Sequence, residues 1–200
     1  MGLECKDKFN ATYKFSEKFT LTPYKKVYAI NDTIKLEFKT RDKNLLDNIT
    51  NSKITTDTTS FWLPFVYEPR YPLPALNDKD TLANVIIGDK SSSDKSIYRA
   101  EGNLFANFYA DCNTAPYYLV KISFIPKKAG IYTLRSPASE AVFGCTGRVN
   151  KFPLSLISFT YDLEDCNKDI YLSIPESQRK DSKYYEELMD KNQLFAFKVQ

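Results

Sequence analysis

The residues of this chain that could do chemistry are carboxylates, lysines, tyrosines and four cysteines, because it contains no histidine. The commonest general acid/base and the commonest metal ligand are therefore missing. Ser-His-Asp and Cys-His nucleophilic machinery is excluded outright. Two acidic runs remain. Asp162, Glu164, Asp165 and Asp169 in "DLEDCNKD" could supply the carboxylate pair that glycoside hydrolysis uses. The chain holds 25 acidic residues, so such clusters arise freely and a solvated face is the preferred reading. Asn77, Asp78 and Asp80 in "NDKDT" are hard oxygen ligands of the kind that hold Ca²⁺. That run lacks the glycine and the distant bidentate glutamate of an EF-hand loop, so it too is read as solvated loop. We expect no catalytic residue, no metal site and no cofactor.

A third grouping could bind rather than react. "FWLPFVYEPRYPLP" (Phe61–Pro74) holds the single tryptophan of the chain among other aromatics and prolines. Trp62, Tyr67 and Tyr71 could stack on pyranose rings while Glu68 and Arg70 hydrogen-bond hydroxyls, since sugar C–H groups pack on aromatic faces. Alternatively Phe61, Leu63 and Phe65 fill a sandwich core and the prolines stiffen a crossover between sheets. Sandwich cores commonly bury one Trp, which favours the second reading.

Cys5, Cys112, Cys145 and Cys166 show no metal-type spacing and are scattered. Two disulfides, and hence an oxidising compartment, are the preferred reading; four buried free thiols are the alternative. "YYLVKISFIPKKAGIYTL" alternates like a strand on each side of a "PKKAG" connection and reads as a hairpin turning about Lys128. Its legs, prolonged, bring Cys112 near Cys145. Pro116 and Pro137 interrupt the ladder, so the argument concerns proximity only. Cys5 with Cys166 follows by elimination.

These residues must be carried by some fold, and composition narrows it. A chain of 200 residues fits one domain, which buries roughly 70% of its unfolded surface, or two small ones. Basic and acidic residues, 28 against 25, are interspersed, so no basic patch addresses nucleic acid. No apolar run is long enough to cross a membrane as a helix. "MGLECKDKFN" lacks the apolar core of a signal peptide. With 14 Tyr and 14 Phe the chain favours strands.

"TLTPYKKVYAINDTIKLEFKT" (Thr20–Thr40) gives the clearest β pattern. Ile34, Leu36 and Phe38 face one way and Lys35, Glu37 and Lys39 the other, after a turn at Asn31-Asp32. "RDKNLLDNITNSK" reads as polar connection anchored by Leu45-Leu46. Pro64 demotes "FWLPFVYE" to an edge or a bulge. "VIIG" is a short apolar run, and "DKSSSDKS" (Asp89–Ser96) reads as a mobile loop. "NLFANFYA" and "SLISFTYDL" are strands. One helix is expected near the end, capped by Asp181 or Ser182. Its apolar stripe is Tyr185, Leu188 and Met189, and Asn192 ends it in the left-handed conformation. Leu194–Val199 closes as a strand. The pattern predicts an all-β, immunoglobulin-like β-sandwich with elaborated loops and one C-terminal helix, as one domain over 1–200. Two small β domains, 1–98 and 99–200, are the alternative.

The segment "FTLTPYKKVYAINDTIKLEFKTRDKNLLD" resembles the opening of uncharacterised secreted lipoproteins of Bacteroidetes. The shared pattern is Phe19, Leu21 and Pro23, then Tyr28, then Asp32-Thr33-Ile34, then Leu46-Asp47. Asn31 stands where those proteins often have Gly. "FIPKKAGIYTL" resembles their late Gly-x-Tyr hairpin. The resemblance implies an exported immunoglobulin-like sandwich, in the periplasm or at the cell surface, peripheral to the outer membrane through a lipid anchor upstream of this sequence or with no anchor at all; Glu4 makes Cys5 itself a poor lipidation site. It implies no activity and no site residue. It also implies O-glycan acceptors at Asp32-Thr33-Ile34, Asp57-Thr58-Thr59 and Asp80-Thr81-Leu82, although the first triplet equally begins a strand. The function read from sequence is a non-catalytic exported module at the cell envelope, binding a protein partner. A carbohydrate-binding protein using Phe61–Tyr71 and a carboxylate-based glycan-active enzyme are the alternatives.

Overall fold

A computed structural model describes residues 12–57, 59–73, 81–88, 92–100, 102–110, 115–136, 140–144, 155–179 and 181–200. The strands are β1 (Tyr13–Thr22), β2 (Val27–Tyr28), β3 (Ile34–Lys39), β4 (Asn44–Asp47), β5 (Ser52–Thr55), β6 (Thr59–Tyr71) and β7 (Ala83–Ile87). They continue as β8 (Ser92–Ala100), β9 (Asn103–Ala110), β10 (Leu119–Pro126), β11 (Gly130–Arg135), β12 (Glu140–Gly144) and β13 (Ser155–Tyr161). Helices α1 (Lys168–Leu172) and α2 (Ser182–Asp190) precede β14 (Leu194–Val199).

Two sheets face each other. One runs β7-β10-β3-β1, with β13 parallel to the first half of β1 and the β4–β5 hairpin resting on β1 at Phe15. The other runs β8-β9-β6-β11-β14-β2. Strand β12 joins them: Glu140 and Ala141 pair with β13, and Val142 to Gly144 pair with β6. This is the all-β sandwich that the alternation predicts. In β3 the buried residues are Ile34, Leu36 and Phe38; in β13 they are Ser155, Ile157, Phe159 and Tyr161. Such period-two burial is what one wet and one dry face require. The space between the sheets is filled mainly by rings, with Phe19 touching Phe38, Phe65 and Phe159 at centroid distances of 5.1–5.7 Å.

Several expectations change. The 117–135 segment is not a hairpin. Strand β10 pairs with β3 and β7, β11 pairs with β6 and β14, and the connection between them crosses from one sheet to the other. Alternation predicted both strands correctly but does not say which strand pairs with which. The proximity argument for Cys112 and Cys145 loses its basis, and both residues lie outside the described ones, as does Cys5. Cys166 carries a buried free thiol that donates to Asn192 Oδ1 at 3.3 Å. Gly130, where the crossover enters β11, has φ of 153°, and a β-carbon there would stand 3.0 Å from Tyr71 O. The Gly-x-Tyr signature therefore marks a close backbone approach.

Nor does Pro64 demote its strand. β6 pairs on both edges, with β9 along Phe61–Tyr67 and with β12 and β11 on the other. On that second edge β12 stops at Phe61 and β11 resumes at Val66. Pro64 falls in the interval, where a residue without an N–H is tolerated. Residues 44–55 form a hairpin rather than a connection, with Leu45 buried and Leu46 exposed. Ser92–Ser96 belongs to β8, not to a mobile loop. The five-residue α1 was not foreseen, being too short for a helical period. The predicted helix is present as α2 with its stripe buried and Asn192 left-handed, although Asp181 makes no side-chain cap bond. Asp32 accepts from Ala29 N at 3.0 Å, the turn-and-strand-start role read for it.

Two carboxyl groups couple this fold to pH in opposite directions. Glu17 shares the inward face of β1 with Phe15 and Phe19, and burial pushes its carboxyl up to about 7. Burial also acts to raise Asp47, but bonds from Thr50 Oγ1 (2.6 Å), Lys14 N (2.8 Å), Thr50 N (2.8 Å) and Ile49 N (3.3 Å) outweigh it and hold the group at about 2. A raised acid takes up a proton on folding. Glu17 therefore stabilises fully below pH 4.5 and loses that contribution as pH rises to 7. The contribution of Asp47 is present above pH 3.8 and is lost as pH falls toward 2. We expect Glu17→Gln to stabilise the protein at pH 8 by about 2 kcal/mol and to flatten the decline between pH 4.5 and 7. Asp47→Asn should remove the acid limb instead. Denaturant titrations across pH check both, and a Glu17→Gln curve superimposable on the parent's would refute the first.

Candidate functional site

The outer face of the second sheet is built by the residues that its core does not use. In β14, Phe195, Phe197 and Val199 join the sandwich core, while Leu194 and Ala196 point the other way. In β11, Tyr132 and Leu134 join the core and Ile131 does not. Helices α1 and α2 cover this outer strip. Tyr171, Ile174, Tyr185, Leu188, Met189 and Cys166 form a second apolar cluster with Ile131, Leu194 and Ala196.

β6 divides in the same way. Phe61, Leu63, Phe65 and Tyr67 are fully buried in the sandwich core, which is the structural reading of the aromatic stretch. Tyr67, at 0% exposure, is thus removed from any stacking platform. The alternate residues reach the outer face. Glu68, 3% exposed, lies beneath the helical layer and accepts from Thr133 Oγ1 at 3.1 Å. Arg70 Nη1 stands 4.0 Å from Glu68 Oε2 and donates to Tyr185 Oη at 3.0 Å. Arg135 Nη2 stands 3.9 Å from Glu68 Oε1. Two guanidiniums thus flank one buried carboxylate. Burial first, and the Glu68 charge second, push the Tyr185 hydroxyl up to about 12. Tyr71 is half-buried against the helical cluster. The five residues read as a sugar platform are therefore dispersed among core, polar network and helix contact.

Of those aromatics, Trp62 lines a cleft. Among the described residues the helical layer ends at α2, and beyond it Tyr98 of β8 is 45% exposed. At that step lies a cleft of about 370 Å³. Trp62, Pro64 and Val66 form its floor with Phe105 and Asn107; Tyr98 stands on β8; Tyr184 and Leu188 come from α2; Arg135, Ser136 and Gln193 complete it. Its volume falls in the range of ligand pockets. Tyr98 stacks on Phe105 at 5.1 Å and 9° between planes, so this aromatic wall is preorganised. Asn107 Nδ2 donates to Tyr98 Oη at 3.4 Å. Asn107 Oδ1 is shielded from solvent and makes no hydrogen bond. Sequence singled out Trp62 but missed Tyr98, Phe105, Asn107, Arg135 and Tyr184. Only the pairing of β6 with β9 and β8, and the packing of α2, brings them together.

The other candidates do not assemble. Asp162 pairs with Lys18 at 3.2 Å, Asp169 pairs with Lys26 at 2.7 Å, and Asp165 accepts from Asn167 N at 2.9 Å. These carboxyls serve surface pairs and a turn, with no shared cleft. Among the described residues no group of His, Cys, Asp or Glu could hold a metal ion. Asn77, Asp78 and Asp80 lie outside the described residues. Among those same described residues, no helix is long and apolar enough to cross a membrane.

No protein-family model matches the chain, and no curated protein matches it in sequence. Among solved structures it is similar to the type II cohesin dyad from the adaptor ScaA scaffoldin of Acetivibrio cellulolyticus, at 12% identity and a TM-score of 0.34. That match covers 74% of this chain and 46% of that one, so the chain spans about half the dyad's length. It is also similar to the seventh ScaB type I cohesin from Pseudobacteroides cellulosolvens, at 14% identity and a TM-score of 0.32 over 74% of this chain and 88% of that one. The cohesin module from the Clostridium perfringens family 33 glycoside hydrolase gives 11%, 0.34, 74% and 99% for the same four quantities. Similarity of this size says nothing about ligand or activity.

The network under α2 yields a prediction. Glu68→Gln leaves two facing guanidiniums without their carboxylate and should destabilise by about 3 kcal/mol in urea unfolding. Adding Arg70→Met should recover part of that loss. A Glu68→Gln protein as stable as the parent would show that the two ion pairs contribute nothing.

Proposed function

We propose that the chain is a non-catalytic binding module of the cell envelope that receives a segment of a protein partner in the cleft beside α2. The observation that carries this reading is the aromatic cleft at the edge of the helical layer. The helices seal the β11–β14 strip, while Trp62, Tyr98, Phe105 and Tyr184 remain gathered around open space. There Tyr98 of β8 is 45% exposed. Grouped aromatics on a rigid sheet, rimmed by polar side chains, are the kind of surface where binding energy concentrates. None of the described residues lining the cleft is acidic, which gives paired-carboxylate hydrolysis no support there. The carbohydrate reading retains only Trp62 of its five residues. Export and anchoring at the outer membrane are supported by the resemblance of the Phe19–Asp47 segment to secreted lipoproteins.

The test uses the purified protein immobilised against an envelope fraction. A partner removed by protease treatment should be retained, and Trp62→Ala or Tyr184→Ala should weaken retention at least about tenfold. Because Trp62 is the single tryptophan, its emission should shift to the blue as the partner covers it. Saturable binding on a glycan array, abolished by Trp62→Ala, would replace this reading with the carbohydrate one. Turnover of an envelope glycan would overturn it.

A further inference from the structure

We infer that the cleft selects an acidic peptide segment: a carboxylate received by Arg135, next to an apolar side chain lying among Trp62, Phe105 and Tyr184. The inference rests on the binding-module reading and gives its partner a chemistry. Charge supplies the first argument. Arg70 and Arg135 share one carboxylate, Glu68, at 4.0 and 3.9 Å, so the three groups carry one positive charge in excess. Arg70 is enclosed, with 12% side-chain exposure, and its guanidinium lies 3.9 Å from the Tyr185 ring centroid. Arg135, at 30%, is the member of the trio that lines the cleft. The excess charge is therefore presented there, beside low-dielectric aromatic walls that strengthen attraction for an anion. A guanidinium fork also matches a carboxylate in geometry.

The shielded Oδ1 of Asn107 makes no hydrogen bond. Turned toward the cleft that Asn107 lines, it would accept a backbone N–H. A ligand offering a carboxylate, an N–H and an apolar side chain within one short span is a peptide bearing Asp or Glu beside an aromatic or aliphatic residue. Among the described residues no acidic side chain lines the cleft to repel it.

The intact protein is panned against a displayed library of random heptapeptides. The expected result is enrichment of sequences with Asp or Glu adjoining an apolar residue. The best such peptide should quench or shift Trp62 emission saturably, and its Gln-for-Glu version should bind about tenfold more weakly. Arg135→Gln should lose the acidic enrichment and keep the apolar one. If that variant does not fold, salt dependence decides. Affinity for the acidic peptide must fall with rising salt while the neutral peptide's does not. Trp62-dependent enrichment of apolar sequences without acidic excess overturns this inference and leaves the binding-module reading standing. Enrichment indifferent to both Trp62→Ala and Arg135→Gln, or no enrichment at all, overturns both. Binding of glucuronate-bearing glycans with the same Arg135 dependence, in place of peptides, assigns the charge to a sugar and overturns the peptide.

Discussion

Strand β6 constrains everything else in this protein. It is bonded along both edges, and its two faces serve different masters. Every odd residue from Phe61 to Tyr67 enters the sandwich core, so the strand cannot slide by one position without exchanging a set of rings for Trp62, Pro64 and Val66. The even positions then fix what lies outside. Glu68 and Arg70 fall beneath α2, while Trp62 and Val66 fall beyond its edge. Where the sheet is covered and where it is open are thus two consequences of one register.

The core has an unusual chemistry for its size. It is built largely of rings, and several carry hydroxyls that must be satisfied inside. Tyr28 donates to Pro23 O at 2.6 Å, and Tyr161 donates to Leu134 O at 3.2 Å. Tyr118 donates to Thr56 O and lies 3.0 Å from Thr59 Oγ1. These bonds tie strand interiors to strand ends and turns, so the tyrosines fix positions as well as fill space. Tyr67 Oη is the exception, buried without a hydrogen bond among stacked neighbours. An interior made of rings also leaves few small residues, in keeping with only six glycines in the chain, and Gly130 occupies a site where a side chain would strike backbone.

Strands were legible because their burial alternates, and α2 because Tyr185, Leu188 and Met189 recur at helical spacing. The partners of each strand were not legible. The segment around Lys128 has every local property of a hairpin, yet its two legs lie in different sheets. Local pattern determines which face of a strand is dry, whereas pairing is settled by which dry faces meet across the whole chain. The cleft was unreadable for the same reason. Trp62 could be noticed as a singular residue, but Asn107, Arg135 and Tyr184 are ordinary in their own neighbourhoods and acquire meaning only by convergence. Pro64 misled because proline's missing donor matters only where a partner strand would use it, and here one edge has a gap at that place.

The parallel pairing of β1 with β13, from Tyr13 against Ser155 to Phe19 against Tyr161, joins stretches far apart in the chain. β14 likewise lies between β2 and β11. Neither junction can form through local steps, so a long span of polypeptide must be brought back on itself before these rungs exist. The entropy of closing that span is spent before the contacts repay it. Such a topology gives slow acquisition of the native state and a correspondingly long-lived folded form once the circuit is closed.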